Sequence, residues 1–317
     1  MSLRGQLLHA VRRITGSERV ADRLTAHISN QTGDLIAHLN NRTAELLRHI
    51  RSSAEYGAGG ELAELYGLVG RSLFRRLGYE GLKIDVQTDK PVAYDSPDHV
   101  MPWGTKQDNS TNLPFNLKLA QWIDPADLRV LDLGCSGGGF VRTVLAMGCL
   151  AVGIEGSDYS KVRGRAEWST IPDYLFTADI TEPFRVTGRR LGEEPRPLRF
   201  TVITAWEVIE HIHRDRLGRV LENIDAHLEP NGVAVMSVSP RPDVVNGVAL
   251  HQTVEGPDWW LKLCERNGFV HHDAAVRYFR DDWIRSEPNA PQSFHLVLTR
   301  RSESLRAALP TLSRAAA

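Results

Sequence analysis

The sequence has 317 residues, of which 42% are hydrophobic and 24% are charged, and its formal net charge at pH 7 is −1. This composition is typical of a folded globular protein, and it disfavours a protein whose main task is to neutralise nucleic-acid phosphates. No apolar run approaches the roughly 18 residues of a membrane-spanning helix, and no signal peptide is recognisable. The three cysteines, Cys135, Cys149 and Cys264, form no C-x-x-C pair. They fit a reducing compartment, so we expect a cytoplasmic protein.

Residues 1–84 form the first region of the chain. Leu7, Val11 and Ile14 recur at helical spacing, and similar runs follow up to Phe74. The pattern predicts an N-terminal helical region that packs on the main domain or on another subunit, which would make a homo-oligomer. A helix lying on a membrane surface is the alternative.

Residues 85–115 are polar and rich in turn formers. A long irregular segment in a compact protein is usually a functional loop or a linker. Trp103, Asp108 and Asn109 offer an aromatic ring and hydrogen-bonding groups, a combination that suits a polyhydroxylated ligand. We therefore predict a lid that contacts substrate through these residues, with a plain connector as the alternative.

Residues 116–300 alternate short apolar runs with helical segments. This alternation predicts an α/β fold, a mostly parallel seven-stranded sheet with helices on both faces, and a Rossmann-like connectivity. Helices are predicted at 140–147, 216–228 and 259–267. Strands are predicted at 130–133, 151–155, 174–177, 200–205, 232–238, 271–279 and 294–299. Residues 301–317 read as a C-terminal tail.

The sharpest motif is the run VLDLGCSGGGF at 130–140, in which a buried strand enters a glycine-rich turn and a helix follows. Glycine lets a ligand approach the backbone closely, and the free N–H groups at the start of the helix face the ligand. A structural tight turn would give the same pattern. The motif by itself is therefore weak.

Acidic residues occur at three successive strand ends. Asp132 precedes the turn, Glu155 follows Gly134 by 21 residues, and Asp179 follows the third strand. An acid at the position of Glu155 accepts hydrogen bonds from the ribose hydroxyls of a nucleoside. Asp179 is placed to meet the adenine amino group. The three acids together predict a nucleoside-containing cofactor.

In order and spacing, residues 116–300 resemble the class I S-adenosylmethionine-dependent methyltransferases. The resemblance implies that Asp132, Gly134, Ser136 and Gly138 hold the methionine part of S-adenosylmethionine. It implies that Glu155 holds the ribose, and that Asp179 and Ile180 meet the adenine. Ser136 stands where the family usually has the middle glycine of G-x-G-x-G.

The segment from Trp206 to His211 contains an E-x-x-E-H pattern. If a helix starts near Glu207, then Glu207, Glu210 and His211 share one face. With His251 they could bind a divalent cation such as Mg²⁺. The pattern resembles the metal-binding segment of small-RNA 3′-end methyltransferases and a segment of small-molecule methyltransferases. Acid–base or substrate contacts without metal, and helix capping alone, stay open as alternatives.

A hydroxyl acceptor needs a general base or a metal, and Glu207, His211 and His251 are the catalytic candidates. We therefore expect O-methylation of a sugar or another small polyhydroxylated acceptor, with no nucleic-acid partner. Three alternatives remain: an RNA 3′-end 2′-O-methyltransferase, a nicotinamide-dependent oxidoreductase that uses the same glycine turn, and a non-catalytic protein that binds the cofactor to support a partner.

Overall fold

A computed structural model describes residues 74–310, apart from Arg76 and Pro288. These residues belong to the second of two units of the chain, Glu64–Ala317. The predicted helical region 1–84 falls almost entirely outside the described residues.

In chain order, the strands of the described part are β1 (Lys83–Thr88), β2 (Arg129–Leu133), β3 (Leu150–Glu155), β4 (Leu175–Thr177), β5 (Phe184–Arg189), β6 (Arg196–Pro197), β7 (Phe200–Trp206), β8 (Leu228–Val238), β9 (Val244–Val245), β10 (Val248–Ala249), β11 (Phe269–His271) and β12 (Phe294–Arg300).

The α-helices of the same part are α1 (Pro97–Val100), α2 (Trp103–Gln107), α3 (Leu113–Trp122), α4 (Gly139–Ala146), α5 (Tyr159–Val162), α6 (Leu217–His227), α7 (Pro257–Arg266) and α8 (Asp273–Phe279).

Seven strands form the central sheet in the order β11-β12-β8-β7-β2-β3-β4. The pairs β2/β3, β3/β4, β2/β7 and β7/β8 are parallel, whereas β12 runs antiparallel to both β8 and β11. Strand order therefore reverses at β2, which has β3 on one side and β7 on the other. The structure confirms the predicted Rossmann-like α/β fold.

The sheet is buried on both faces, because its central strands are almost continuously apolar. Every residue of β3 and of β7 is buried. Two apolar clusters cover the faces, one around α6 and α7 and the other around α3, α4 and α8. This is the burial expected of parallel strands connected by helices.

Helix α6 shows how the sequence pattern produces this packing. Leu217, Val220, Leu221 and Ile224 are spaced at i, i+3, i+4 and i+7, and all four are buried. Their spacing gives the helix one apolar stripe that faces the sheet. The predicted helix at 216–228 is confirmed to within one residue at each end.

The strand predicted at 271–279 is wrong. Only His271 belongs to β11, and α8 follows from Asp273. Ala275, Tyr278 and Phe279 are buried at a helical spacing of three and four residues. The apolar run was short enough to fit either type of element, and the helical face decided it.

The segment 85–115 is more regular than the predicted loop. Its first residues lie in β1, which pairs antiparallel with β5, and α1 and α2 follow. We use the name covering segment for residues 93–110, which lie over the carboxyl end of the central sheet.

The first ten residues of the predicted C-terminal tail lie within the described part of the chain. Residues 301–310 pack on the domain, where Trp122 Nε1 donates to the carbonyl oxygen of Ala307 at 3.1 Å and Leu305 and Leu309 contact the core. Residues 311–317 lie outside the described part. No helix in the described residues is long and apolar enough to cross a membrane.

Candidate active site

A cleft of about 600 Å³ opens at the carboxyl ends of the sheet strands, beneath the covering segment. Its floor comes from the residues that follow β2, β3, β4 and β7. In an open α/β sheet, ligands bind in this crevice, where the strand order reverses. The predicted site residues that line the cleft are Gly134, Ser136, Glu155, Asp179, Ile180, Glu207, His211, His251 and Asp108.

Glu155 ends β3 and is 6% exposed, at the cleft wall. Its carboxylate accepts hydrogen bonds from the backbone N–H of Ser136 at 2.7 Å and of Ser157 at 3.1 Å. Burial raises the pKa of Glu155, and these backbone bonds oppose the shift. Because each carboxylate oxygen has two lone pairs, Glu155 keeps acceptor capacity for hydroxyl groups of a ligand.

Asp179 follows β4 and also lies at the wall of the cleft. One oxygen accepts from the backbone N–H of Thr181 at 2.9 Å and from its hydroxyl at 2.7 Å. Ile180 lines the cleft beside it. This pairing of an acid and an apolar side chain could receive the edge and the face of a planar base.

Asp132 and Gly138 do not line the cleft. Asp132 is 2% exposed and accepts a hydrogen bond from the Thr204 hydroxyl at 2.6 Å. Burial raises its pKa to about 8. Gly138 precedes α4 as its N-cap residue, with φ 87°, and a Cβ there would meet the Leu175 side chain at 2.7 Å. Both residues therefore lie beneath the surface of the cleft, next to the glycine-rich turn.

The glycines of the turn leave room for two different neighbouring residues. A Cβ on Gly134 would lie 2.3 Å from Val208. At Gly137 and Gly139, however, a Cβ would meet Asn109 of the covering segment, at 2.4 Å from its Oδ1 and 2.6 Å from its carbonyl oxygen respectively. The close approach at these two positions is therefore made by the chain itself.

Ser136 occupies the left-handed region at φ 48°. Its hydroxyl lies 3.0 Å from the carbonyl oxygen of Thr105 and 3.1 Å from that of Asp108. Arg165 donates to the same hydroxyl at 3.1 Å and to the Asp108 carbonyl at 2.7 Å. The residue that departs from the family pattern thus joins the glycine turn to the covering segment.

His211 and His251 form the other side of the site. Their rings meet edge to face, with centroids 4.5 Å apart. His251 Nδ1 lies 2.5 Å from the carbonyl oxygen of Arg241, so this nitrogen carries the proton of the neutral ring and Nε2 is free to accept. Burial and the neighbouring His211 lower the pKa of His251.

His211 carries the opposite shift. Its Nδ1 lies 2.8 Å from a carboxylate oxygen of Asp98, at the start of the covering segment. Burial lowers the pKa of His211, but Asp98, Glu210 and Asp243 outweigh burial and raise it to about 9. The two imidazoles are therefore unlike, and at pH 7 His211 is charged whereas His251 is neutral.

The E-x-x-E-H segment does not form the predicted helix. Residues Ile209–His211 form one 3₁₀ turn, and Glu207 precedes it at φ 54°. The Glu207 carboxylate accepts a hydrogen bond from the Ser293 hydroxyl. Because the chain turns sharply at Glu207, the predicted common face of Glu207, Glu210 and His211 is wrong.

Glu210, His211 and His251 do converge. One potential ligand atom from each lies within 4.8 Å of the others. Glu210 is fully buried, one of its oxygens accepts from the backbone N–H of Ser239 at 2.8 Å, and the other has no hydrogen-bond partner among the described residues. Burial raises the pKa of Glu210 to about 7.

Of the three predicted substrate residues, one lines the cleft and two do not. Asp108 lines the cleft, and its carboxylate lies 3.2 Å from Arg285. Asn109 packs on the glycine turn and donates to Glu167 at 3.4 Å. Trp103 is 43% exposed with Lys106 over its ring, and it does not line the cleft.

Sequence reasoning missed six charged residues of the cleft: Asp95, Asp98, Asp215, Arg216, Asp243 and Arg285. Asp98 and Asp243 stand in turn-rich segments without periodicity, and Arg285 follows α8. Their positions depend on tertiary contacts. The polar residues from 94 to 99 were the one available signal for Asp98.

Over residues 106–280, more than half of its length, the chain matches the sequence profile of the methyltransferase domain family. Over 160 residues it is 28% identical to a ubiquinone biosynthesis O-methyltransferase of Bradyrhizobium diazoefficiens, a region that covers 49% of this chain and 57% of that relative.

Two methyltransferases are among the solved structures that match part of the chain. An S-adenosylmethionine-dependent methyltransferase from Mesorhizobium loti matches with a TM-score of 0.40 and 18% identity, covering 62% of this chain and 100% of that one. A sugar N-methyltransferase from Streptoalloteichus sp. matches with a TM-score of 0.41 and 16% identity, covering 68% and 95%.

The chain belongs to the methyltransferase domain family, which is of the class I S-adenosylmethionine-dependent type. The family match decides against the nicotinamide-dependent oxidoreductase that the glycine turn alone left open.

The residues of the cleft fit this cofactor, which carries a sulfonium and an ammonium group. Eight carboxylates line the cleft, against two arginines. An excess of carboxylates favours a cationic ligand. Glu155 would hold the ribose hydroxyls, and Asp179 with Ile180 would contact the adenine.

Proposed function

We propose that the protein methylates a hydroxyl group of a small polyhydroxylated acceptor such as a sugar. The observation that carries this proposal is the His211–His251 pair, which lines the same cleft as Glu155 and Asp179. An alcohol is a poor nucleophile at neutral pH and requires a base, which this pair supplies. When bound, the cofactor supplies an electrophilic methyl carbon whose bond to sulfur breaks as the acceptor oxygen attacks.

His251 acts as the general base. Its Nε2 is the unprotonated nitrogen, because Nδ1 is held by the Arg241 carbonyl. Nε2 would take the proton of the acceptor hydroxyl. His211, charged beside Asp98, stabilises the negative charge that develops on that oxygen.

The lining of the cleft also favours a polyhydroxylated acceptor. It mixes carboxylates, histidines and backbone turns, which suits a ligand with several hydroxyl groups. The excess of carboxylates disfavours a polyanion such as RNA. The relative from Bradyrhizobium is an O-methyltransferase by name, which agrees with oxygen as the acceptor atom.

The first experiment is a calorimetric titration with S-adenosylhomocysteine. Methyl-labelled S-adenosylmethionine is then incubated with free monosaccharides, nucleotide-linked monosaccharides, an amino sugar and a catechol. Transfer to oxygen supports the proposal. Transfer to the amino group alone contradicts it, and failure to bind S-adenosylhomocysteine contradicts a functional cofactor site.

Variants of the two histidines test the roles on the acceptor found in this way. We expect His251→Gln and His211→Ala to lower kcat about 10²- to 10⁴-fold. Their affinity for S-adenosylhomocysteine should stay within about threefold of wild type. The matched control is His272→Gln, outside the cleft, which should keep full activity. Full activity in either test variant would remove this pair from the mechanism.

A metal-assisted form of the same reaction is the second candidate. It is favoured by the convergence of Glu210, His211 and His251 and by the unpartnered oxygen of Glu210. Nδ1 of His211 lies beside the Asp98 carboxylate, and Nδ1 of His251 lies beside the Arg241 carbonyl oxygen. Imidazoles that bind a metal are commonly oriented by an oxygen in this way. Two imidazoles and one carboxylate suit a transition metal ion better than Mg²⁺.

Titration of chelator-treated protein with Mn²⁺ and Zn²⁺ tests this form directly. Glu210→Gln should abolish binding, and Glu207→Gln should retain it, since Glu207 stands outside the cluster. If the chelator-treated protein stays active and the wild type binds neither ion, the metal-assisted form is contradicted and the metal-free reaction is retained.

A further inference from the structure

Asp98 lies outside the family match at 106–280 and faces His211 directly. Its carboxylate oxygen is 2.8 Å from His211 Nδ1, and both side chains are about one-fifth exposed, at 20% and 19%. Among the described residues, Asp98 has the one carboxylate within ion-pair distance of this ring. The contact joins the covering segment to the catalytic side of the cleft.

The chain holds Asp98 in place from several directions. Helix α1 begins after Ser96, whose hydroxyl accepts from the Asp98 backbone N–H at 3.3 Å. Before it, the backbone N–H of Ala93 donates to the Gly156 carbonyl at 2.9 Å, and Asp95 pairs with Arg216 at 2.9 Å. The segment is therefore fixed at both walls of the cleft, next to the residue that faces His211.

Other charged groups face His211 from the neighbouring elements. They are Glu210 from its own turn, Asp243 from the connection after β8, and His251 from the segment after β10. Asp98 is distinct among them because it touches Nδ1. The contact is an ion pair and not a hydrogen bond of good geometry, since Nδ1 has no hydrogen-bond partner among the described residues. With Nδ1 beside the Asp98 carboxylate, Nε2 is the nitrogen left to contact an acceptor.

We propose that Asp98 is a positioning residue, which fixes the ring orientation of His211 so that Nε2 faces the acceptor in the cleft. The inference rests on the proposed role of His211. It follows the general arrangement in which a carboxylate orients an imidazole that acts on the substrate. Since Asp98 belongs to the covering segment, the catalytic side is complete only when this segment lies over the cleft.

The test compares Asp98→Asn with Asp158→Asn. Asp158 pairs with His99 of the same short helix, with His99 Nδ1 3.8 Å from its carboxylate, but it lies outside the cleft. Asp98→Asn should lower kcat about 10- to 100-fold. Its affinity for S-adenosylhomocysteine should stay within about threefold, and Asp98→Glu should recover part of the activity. Asp158→Asn should keep the wild-type kcat.

A spectroscopic readout makes the test independent of turnover. In protein labelled with ¹⁵N-histidine, the His211 ring signals are assigned by their loss in His211→Ala. Asp98→Asn should shift the Nδ1 signal, and Asp158→Asn should not. Unshifted His211 nitrogens together with wild-type kcat in Asp98→Asn would overturn the inference. If His211→Ala were fully active, the proposed function of His211 would fail instead, and the NMR shift would still report the contact.

A double-variant comparison separates positioning from general damage to the fold. In the His211→Ala background, adding Asp98→Asn should cause no further loss of kcat, because the two residues act as one unit. An additional loss equal to that of the single variant would show that Asp98 acts elsewhere. Thermal unfolding of Asp98→Asn and Asp98→Glu identifies any variant that has lost its fold.

Discussion

The hydroxyl of Ser136 lies 3.0 Å from the carbonyl oxygen of Thr105, so the turn after β2 is joined directly to the segment that covers the cleft. The same hydroxyl is 3.1 Å from the Asp108 carbonyl. Glycine at this position would accept the positive φ without strain, but it would have no hydroxyl to offer. Serine therefore accepts backbone strain and gains a contact with the covering segment.

Two variants of Ser136 separate these effects. Ser136→Ala loses the hydroxyl and keeps the strained φ of 48°, so we expect unfolding to become about 1–2 kcal/mol easier. Ser136→Gly also loses the hydroxyl but relieves the strain, and should be about 1 kcal/mol more stable than Ser136→Ala. Urea denaturation of the three proteins measures both differences. Equal stability of wild type and Ser136→Ala would contradict a role for the hydroxyl.

Glu155→Gln should weaken binding of S-adenosylhomocysteine about 10- to 100-fold, because a hydrogen bond to a charged group contributes about 1.5–3 kcal/mol. Isothermal titration calorimetry measures the change. The control is Glu167→Gln, a buried acid that packs behind Gly138 and does not line the cleft. Similar losses in both variants would mean that Glu155 acts through the fold alone.

Gly137→Ala should destabilise the protein by about 1–3 kcal/mol, since its Cβ would lie 2.4 Å from Asn109 Oδ1 and 2.8 Å from the Asp108 carbonyl. Gly256→Ala is the matched control. Its φ is −79° and no heavy atom lies within 4 Å of the added carbon. Denaturation midpoints that fall equally in both variants would contradict the packing of Asn109 on the turn.

His295 gives a pH dependence of stability. It stacks on Trp283 at 4.0 Å and donates through Nε2 to the Arg285 carbonyl at 2.7 Å, and burial lowers its pKa from 6.5 to about 4. A lowered histidine pKa favours the neutral folded form. Its contribution is therefore complete above pH 6.5 and is lost as the pH falls towards 4.

The loss should amount to about 3 kcal/mol at most. It can be isolated by comparing wild type with His295→Gln, which keeps a donor for the Arg285 carbonyl but does not titrate. The difference in unfolding free energy between the two proteins should shrink between pH 7 and pH 4. A difference that stays constant over this range would rule out the lowered pKa.

Sequence reasoning found the residues whose positions follow from the order of the strands. Glu155 and Asp179 come at the ends of buried apolar runs, and parallel strands bring such ends to one edge of the sheet. The same logic placed His211 and His251 near each other. Local rules were sufficient for these residues because the connections are short.

The remaining features depend on contacts that no local pattern encodes. Asp98 meets His211 across 113 positions of the chain, and the pairing depends on how the covering segment lies over the sheet. Glu207 looked like the first residue of a helix, yet a single positive φ turns its side chain towards Ser293. The glycine-rich turn as a whole suggested close approach of a ligand, whereas Asn109 fills the space beside Gly137 and Gly139.

The division of the cleft has a consequence for how this protein could change its substrate. Glu155, Asp179 and Ile180 come from the β2–β3–β4 half of the sheet, whereas His211 and His251 come from segments after β7 and β8. On the proposed assignment, mutations in the loops on the second side alter acceptor preference and leave the proposed cofactor-binding half intact, since function on a common fold changes through local sites. If the proposed assignment holds, the acceptor preference of this protein can evolve while its cofactor site stays unchanged.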